Sequence, residues 1–152
     1  MSLLDELAEQ EVRLVFPSFD HETAVRLGMH LLSAAREQGL PVVVSVRKGG
    51  QRVFHAALPG TSADNDDWID RKSRVVDRYA RSSFHVGETF RAKGRDFDRD
   101  SRLDPAVYAA HGGVFPVLVK GTGMVGTVGV SGLPQADDHA FVVAQLESFL
   151  ER

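Results

Sequence analysis

Three short segments carry most of the side chains able to do chemistry: Arg71-Lys72, His111-Gly112-Gly113 and Ser131-Gly132. Adjacent cations such as Arg71 and Lys72 can hold a carboxylate or phosphate. A histidine followed by two glycines places an imidazole beside backbone that a ligand or another chain can approach closely. Ser131 lies in Gly-Val-Ser-Gly-Leu, which misses the final glycine of the G-x-S-x-G nucleophile elbow. A strand ends there just before a helix, so capping the turn is the reading favoured over nucleophile. The ligand-binding candidates are therefore Arg71, Lys72, His111, Gly112, Gly113, Ser131 and Gly132. The same residue types also suit tight packing beside a solvated helix face.

Other patterns carry less. His85 and Glu88 stand at i, i+3, a spacing that offers two metal ligands from one helix, but a site needs a third. His55 shares a strand face with Val53 and Ala57, and imidazole is a common metal ligand, though a core histidine is the commoner outcome there. Gly121-Thr-Gly-Met-Val-Gly126 matches G-x-G-x-x-G. A dinucleotide site needs a helix to follow, and Thr127-Val-Gly-Val130 reads as strand, so this is a glycine-rich hairpin. Asp96-Phe-Asp-Arg-Asp100 opens like a calcium loop, but Ser101 and Val107 stand where glycine and glutamate are required. A solvated loop is the better reading.

The elements that position these residues follow from periodicity and punctuation. Leu3, Leu4 and Leu7 form one stripe on an N-terminal helix over residues 1–11. Arg13 to Phe16 reads as a brief strand stopped by Pro17. A helix from about Asp20 to Gln38 follows, capped by Asp20, buried through Ala24, Leu27, Gly28, Leu31 and Ala35, and stopped by Gly39 and Pro41. Val42 to Lys48 and Gln51 to Leu58 flank Gly49-Gly50 as a hairpin. Simple pairing sets Val44 opposite His55, Val46 opposite Val53 and Arg47 opposite Arg52, so that end of the ladder is either solvated or holds an anion. Acidic residues 64, 66 and 67 open a helix carrying Trp68, Lys72, Val75, Val76 and Tyr79, and a shorter helix spans about Ser83 to Lys93. Val114 to Lys120 and Met124 to Ser131 make a second hairpin, whose first strand Pro116 pushes to a sheet edge. A last helix begins near Pro134. The order β, α, two β, two α, two β, α favours an antiparallel sheet covered by helices in a single domain over 1–152.

Composition narrows the classes. The chain has 152 residues, 43% hydrophobic and 26% charged, the profile of a globular protein. It has no cysteine, which excludes disulfides, thiolate zinc sites, iron–sulfur clusters and cysteine nucleophiles. The acidic, amphipathic N-terminus is unlike a secretory signal, and no apolar run reaches the roughly 18 residues of a membrane span. A cytoplasmic location is expected. A net charge of −3 gives no broad attraction to nucleic acid or anionic membrane.

His111-Gly-Gly-Val-Phe-Pro116, Gly126-Thr-Val-Gly-Val-Ser-Gly132 and Asp138-His-Ala140 together resemble the closing motif of the haem-degrading, HbpS-like domain family. Asp67-Trp-Ile-Asp-Arg-Lys72 and Ser131-Gly-Leu-Pro134 look like one branch of it, and the resemblance spans about residues 12 to 150. It implies a profilin-like α+β fold, a five-stranded antiparallel sheet in an α/β/α layering, with residues 1–11 as an added helix. It also implies a homo-oligomer, with relatives that bind haem or a corrinoid or accompany glycolate-utilisation enzymes. No fixed iron-ligand motif transfers to this sequence.

The favoured reading is a homo-oligomeric small-ligand protein, with haem or a related tetrapyrrole as the first ligand to consider. Arg71 and Lys72 would meet propionates and a histidine would meet iron. The alternatives are an enzyme of haem degradation or small hydroxy-acid metabolism with His111 or His139 as general base, and a ligand-free interaction module using the Leu3-Leu4-Leu7 stripe.

Overall fold

A computed structural model describes residues 1–151. Six helices and four strands follow in the order α1 (Leu3–Arg13), α2 (His21–Glu37), β1 (Val43–Lys48), β2 (Gln51–Ala57), α3 (Ala63–Tyr79), α4 (Ser83–Ala92), α5 (Phe97–Asp100), β3 (Val114–Val119), β4 (Gly123–Ser131) and α6 (Gln135–Leu150). The helices number six with the one-turn α5, which replaces part of the expected charged loop by burying Phe97. The strands form an antiparallel sheet in the order β2-β1-β4-β3.

The sheet has four strands where five were expected. Ser2 and Asp5 close a capping box at the start of α1, and Arg13 pairs with Glu9 one turn back at 2.8 Å. These local bonds carry the helix through Arg13 and leave too little chain before Pro17 for a strand. What remains is one parallel bridge, Phe16 to Val119, with Phe16 N–H donating to the Leu118 carbonyl at 2.7 Å. β3, which carries Pro116, is an edge strand, as its proline requires.

Alternation along the strands sorts side chains to two faces. Val44, Val46, Phe115, Val117, Val128 and Val130 point to one face and pack with Leu27, Leu31, Val142 and Leu146 of α2 and α6. Val43 and Val114 point to the other and meet Ile69 and Val76 of α3. The result is helices over both faces of one sheet. Each fully buried Leu or Val contributes roughly 1.5–3 kcal/mol relative to exposure, so the first face supplies most of the apolar stabilisation.

The β1–β2 register departs from simple pairing. A bulge beside Val46 shifts it, setting Val46 opposite Phe54 and Ser45 opposite His55, while Arg47 still faces Arg52. The anion between those arginines is Asp70 of α3, which pairs with both Arg47 and Arg52, the latter at 2.5 Å. No helix among the described residues is long and apolar enough to cross a membrane.

Candidate functional site

A cleft of about 200 Å³ opens where four segments converge: the N-terminal half of α3, the His111-Gly112-Gly113 turn, the end of β4 and the start of α6. Asn65, Trp68 and Lys72 stand at i, i+3 and i+7 on one face of α3, directed at it by the helical repeat. His111 forms the opposite wall, its ring edge-on to Trp68 at 5.2 Å between centroids. Ser131, Gly132, Gln135 and Asp138 complete the lining.

Lys72 forms the floor. It is 3% exposed, and its ammonium donates to the Gly112 carbonyl at 2.9 Å and, at 3.3 Å each, to the Val130 carbonyl and Asp138 Oδ2. An ammonium has three protons, so this set uses all of them. Asp138 is also held by the N–H groups of Gly132 and Leu133, at 3.3 and 3.0 Å. Burial lowers the Lys72 pKa, with Asp138 opposing that effect. The pair thus ties α3, the glycine turn, β4 and α6 together, and Lys72 has no proton left for a ligand.

Arg71 lies outside the cleft. Its Nε donates to Asp67 at 2.8 Å, one of its terminal nitrogens reaches the Pro105 carbonyl at 3.4 Å, and its guanidinium stacks 4.0 Å from the Trp68 ring centroid. Gly112 and Gly113 contribute backbone: Gly112 N–H donates to Gln135 Oε1 at 3.0 Å. Of the seven ligand-binding candidates, the structure brings Lys72, His111, Ser131 and Gly132 into one cleft, with Gly112 and Gly113 immediately behind it.

His111 is half-buried, and burial, with Arg91 adding to it, pushes its imidazole below the ordinary histidine value, so the ring is neutral at pH 7. The other histidines proposed for chemistry are committed elsewhere. His139 is 5% exposed, bonded to Gln10 Oε1 at 2.8 Å and packed against Phe84; burial pushes it down to about 4. It sits in the interior rather than at the cleft. His85 Nδ1 bonds Glu11 at 2.9 Å while Glu88 pairs with Arg91, so the i, i+3 pair does not converge. His55 is exposed and bonded to Asp66 at 2.6 Å, because the bulge moved it opposite Ser45 and away from Val44. No group of three or more metal-ligating side chains exists among the described residues.

Sequence reasoning missed Asp138, Asn65 and Gln135. The 65, 68, 72 repeat on α3 was a signal for Asn65. Asp138, in the first turn of α6, had only its place in the Asp138-His-Ala140 motif to mark it.

The "Haem degrading protein HbpS-like" family model matches residues 19–147. The chain belongs to this family. It is 57% identical over 149 residues to a UPF0303 protein of Streptomyces avermitilis, covering 98% of this chain and 91% of that protein. A UPF0303 protein of Rhizobium etli is 47% identical, with 98% and 90% covered. Among solved structures, the Ybr137w protein superposes with a TM-score of 0.90 at 28% identity, covering 97% of this chain and 88% of that one. HbpS gives 0.67 at 20% identity over 86% and 89%, and a PduOC–haem complex 0.70 at 17% over 86% and 94%; both show a shared fold.

Haem can be tested against these residues. An iron ligand needs an available ring nitrogen, and none of the hydrogen bonds among the described residues falls on the His111 ring. The cleft itself does not fit the macrocycle: about 200 Å³ is below the roughly 300–1,000 Å³ of drug-sized sites, and among the described residues lining it the one cation, Lys72, is already committed.

Proposed function

We propose that this HbpS-like protein is a cytoplasmic homo-oligomer that binds a small ligand in the cleft between Trp68 and His111. One observation carries the reading. A neutral, half-buried imidazole without a hydrogen-bond partner among the described residues faces a small cleft whose floor is locked by a fully satisfied buried ion pair. A rigid floor under an uncommitted polar wall is the arrangement a preorganised binding site requires. Oligomerisation is supported by apolar side chains left on the surface, among them Val12 at 79% and Met29 at 55% exposed. The N-terminal helix is anchored to the domain, since Leu7 is buried and Gln10 and Glu11 bond inward to His139, His85 and Ser82. That weighs against the ligand-free module built on the Leu3-Leu4-Leu7 stripe.

The tetrapyrrole reading is the alternative, supported by the family description and by the availability of His111. It requires a surface that a second copy completes. Titration with haem, followed by the Soret band, separates the two. Haem binding that depends on His111, lost in His111→Ala, would favour the tetrapyrrole. No Soret shift, with light scattering showing an oligomer, leaves the small ligand. A strictly monomeric mass at micromolar concentration would overturn the homo-oligomer.

A further inference from the structure

We propose that the cleft recognises a small carboxylate through neutral donors, the Ser131 hydroxyl and the first turn of α6, rather than through Lys72 or Arg71. The proposal rests on the reading of this cleft as the ligand site and names the ligand's chemical class.

Ser131 pairs with Val43 across the β1–β4 ladder, and Val43 points to the α3 face, so the Ser131 side chain points to α3 as well. It is 3% exposed and lines the cleft, and no hydrogen bond among the described residues reaches its hydroxyl. The cleft is the side from which a partner can reach that hydroxyl.

The second observation is independent. The 16-residue helix α6 starts after Pro134, which provides no side-chain cap. The Asp137 and Asp138 N–H groups turn back to the Pro134 carbonyl, at 2.9 and 3.0 Å. Those of Gln135 and Ala136 find no acceptor among the described residues, as expected at an uncapped helix start. Gln135 lines the cleft, and with its Oε1 already accepting from Gly112, its amide nitrogen is left to donate. Asn65 is in the same position, its Oδ1 accepting from Ser62 N–H at 2.9 Å.

Charge decides between a neutral acceptor and an anion. Lys72 and Asp138 cancel, and so do Arg71 and Asp67. What remains along the cleft lining is the start of α6, worth about half a positive charge; Asp137, the other acid of its first turn, is exposed and outside the lining. Donors without acceptors, beside a positive dipole end in a cleft of about 200 Å³, select a small organic carboxylate.

The chain's single tryptophan, Trp68, lines the cleft and reports on it. Intrinsic fluorescence of the full chain is titrated with propionate and with its neutral isostere propionamide. Propionate should give a saturable change and propionamide one at least tenfold weaker. Ser131→Ala, which removes only an unpartnered hydroxyl, should weaken propionate at least tenfold. Pro134→Asp provides the missing cap with its own carboxylate, so it should raise the unfolding midpoint while suppressing the propionate response. Equal response to both probes, unaltered by Ser131→Ala and Pro134→Asp, overturns the carboxylate assignment and leaves the cleft as a binding site. No saturable response to either probe also overturns it, and the His111→Ala haem titration then judges the cleft reading separately.

Discussion

The two faces of the sheet are built on different principles. Under α2 and α6 the contacts are mainly apolar, with Leu27, Leu31, Val44, Val46, Val128, Val130 and Leu146 fully buried. Under α3 the buried set includes Lys72, Ser73, Ser45, Thr127 and Ser131 beside only a few apolar partners. The first face is held by area removed from water, which is non-directional and tolerant of substitution. The second depends on the directional bonds of Lys72 to Asp138 and to the Gly112 and Val130 carbonyls, which fix atoms in place and fail sharply when one partner is lost. Ser45 Oγ is buried there without a hydrogen-bond partner among the described residues. The cleft opens on the second face, where the fold trades tolerance for placement.

Breaking the Lys72–Asp138 pair should therefore give the largest effect. Lys72→Met leaves a buried carboxylate and two backbone carbonyls short of a donor, and loss of one member of such a pair costs about 3–5 kcal/mol. Lys72→Met combined with Asp138→Leu removes both charges and should recover a large part of that loss. Denaturant midpoints with an unchanged slope would measure both. A Lys72→Met midpoint within 1 kcal/mol of the parent protein, by the arithmetic of the slope, would show that the α3 face does not depend on this pair.

The next effect is on pH dependence and comes from His139, at the junction of α1, α4 and α6. Its folded-state pKa, about 4, lies below the value near 6.5 of an unfolded histidine. Between those values the unfolded chain binds a proton that the folded chain refuses, so stability rises with pH across the window and is flat above it. The full difference is about 3 kcal/mol. Burial is its main cause, with nearby His85 adding to it, and Glu11 is the acid that faces His85. His139→Gln should flatten the profile between pH 4 and 6.5. A parent protein equally stable at pH 4.5 and 7 would contradict the buried, neutral assignment.

The contrast between faces also explains how far the sequence could be read. Periodicity is a one-dimensional signal, and it located α2, both hairpins and the edge position of β3, because repeats, caps and turn glycines are local. The grouping of Lys72 with His111, Ser131 and Gly132 came instead from residue types, with the closing motif holding only His111, Ser131 and Gly132 and Lys72 lying in the Asp67–Lys72 segment. Periodicity could not show that Lys72 spends its charge on Asp138, 66 residues away, or that Glu11 answers His85 across 74 residues. Nor could it show that a bulge beside Val46 would turn His55 towards Asp66. Directional partners leave no repeat, so the apolar face was legible and the polar face was not. The missing fifth strand failed for a related reason: Arg13-Leu-Val-Phe16 has strand character, but the Glu9–Arg13 pair one turn back kept the helix going.

The smallest predicted effect tests whether close approach, rather than backbone conformation alone, constrains the α3 face. Gly113 has a φ of +138°, and a β-carbon there would stand 2.6 Å from Lys72 Nζ and 2.5 Å from the Val130 carbonyl oxygen. Gly49, in the β1–β2 turn, has a φ of +58° with nothing within 4 Å of its would-be β-carbon. Both substitutions by alanine strain the backbone, by about 1 kcal/mol at Gly49, whose φ lies in the left-handed helical well, and by more at Gly113, whose φ of +138° lies beyond it. Only Gly113→Ala must also displace the ammonium or the carbonyl, both of which are fixed by the bonds described above, and a total of about 2 kcal/mol is expected. The difference between the two midpoints contains the crowding together with the larger backbone strain at Gly113. Equal losses at Gly49 and Gly113 would mean that the lysine can move aside, and that the floor of the cleft is softer than its hydrogen bonds suggest. A Gly113 loss that exceeds the Gly49 loss but disappears in the Lys72→Met, Asp138→Leu background would assign the excess to the ammonium itself.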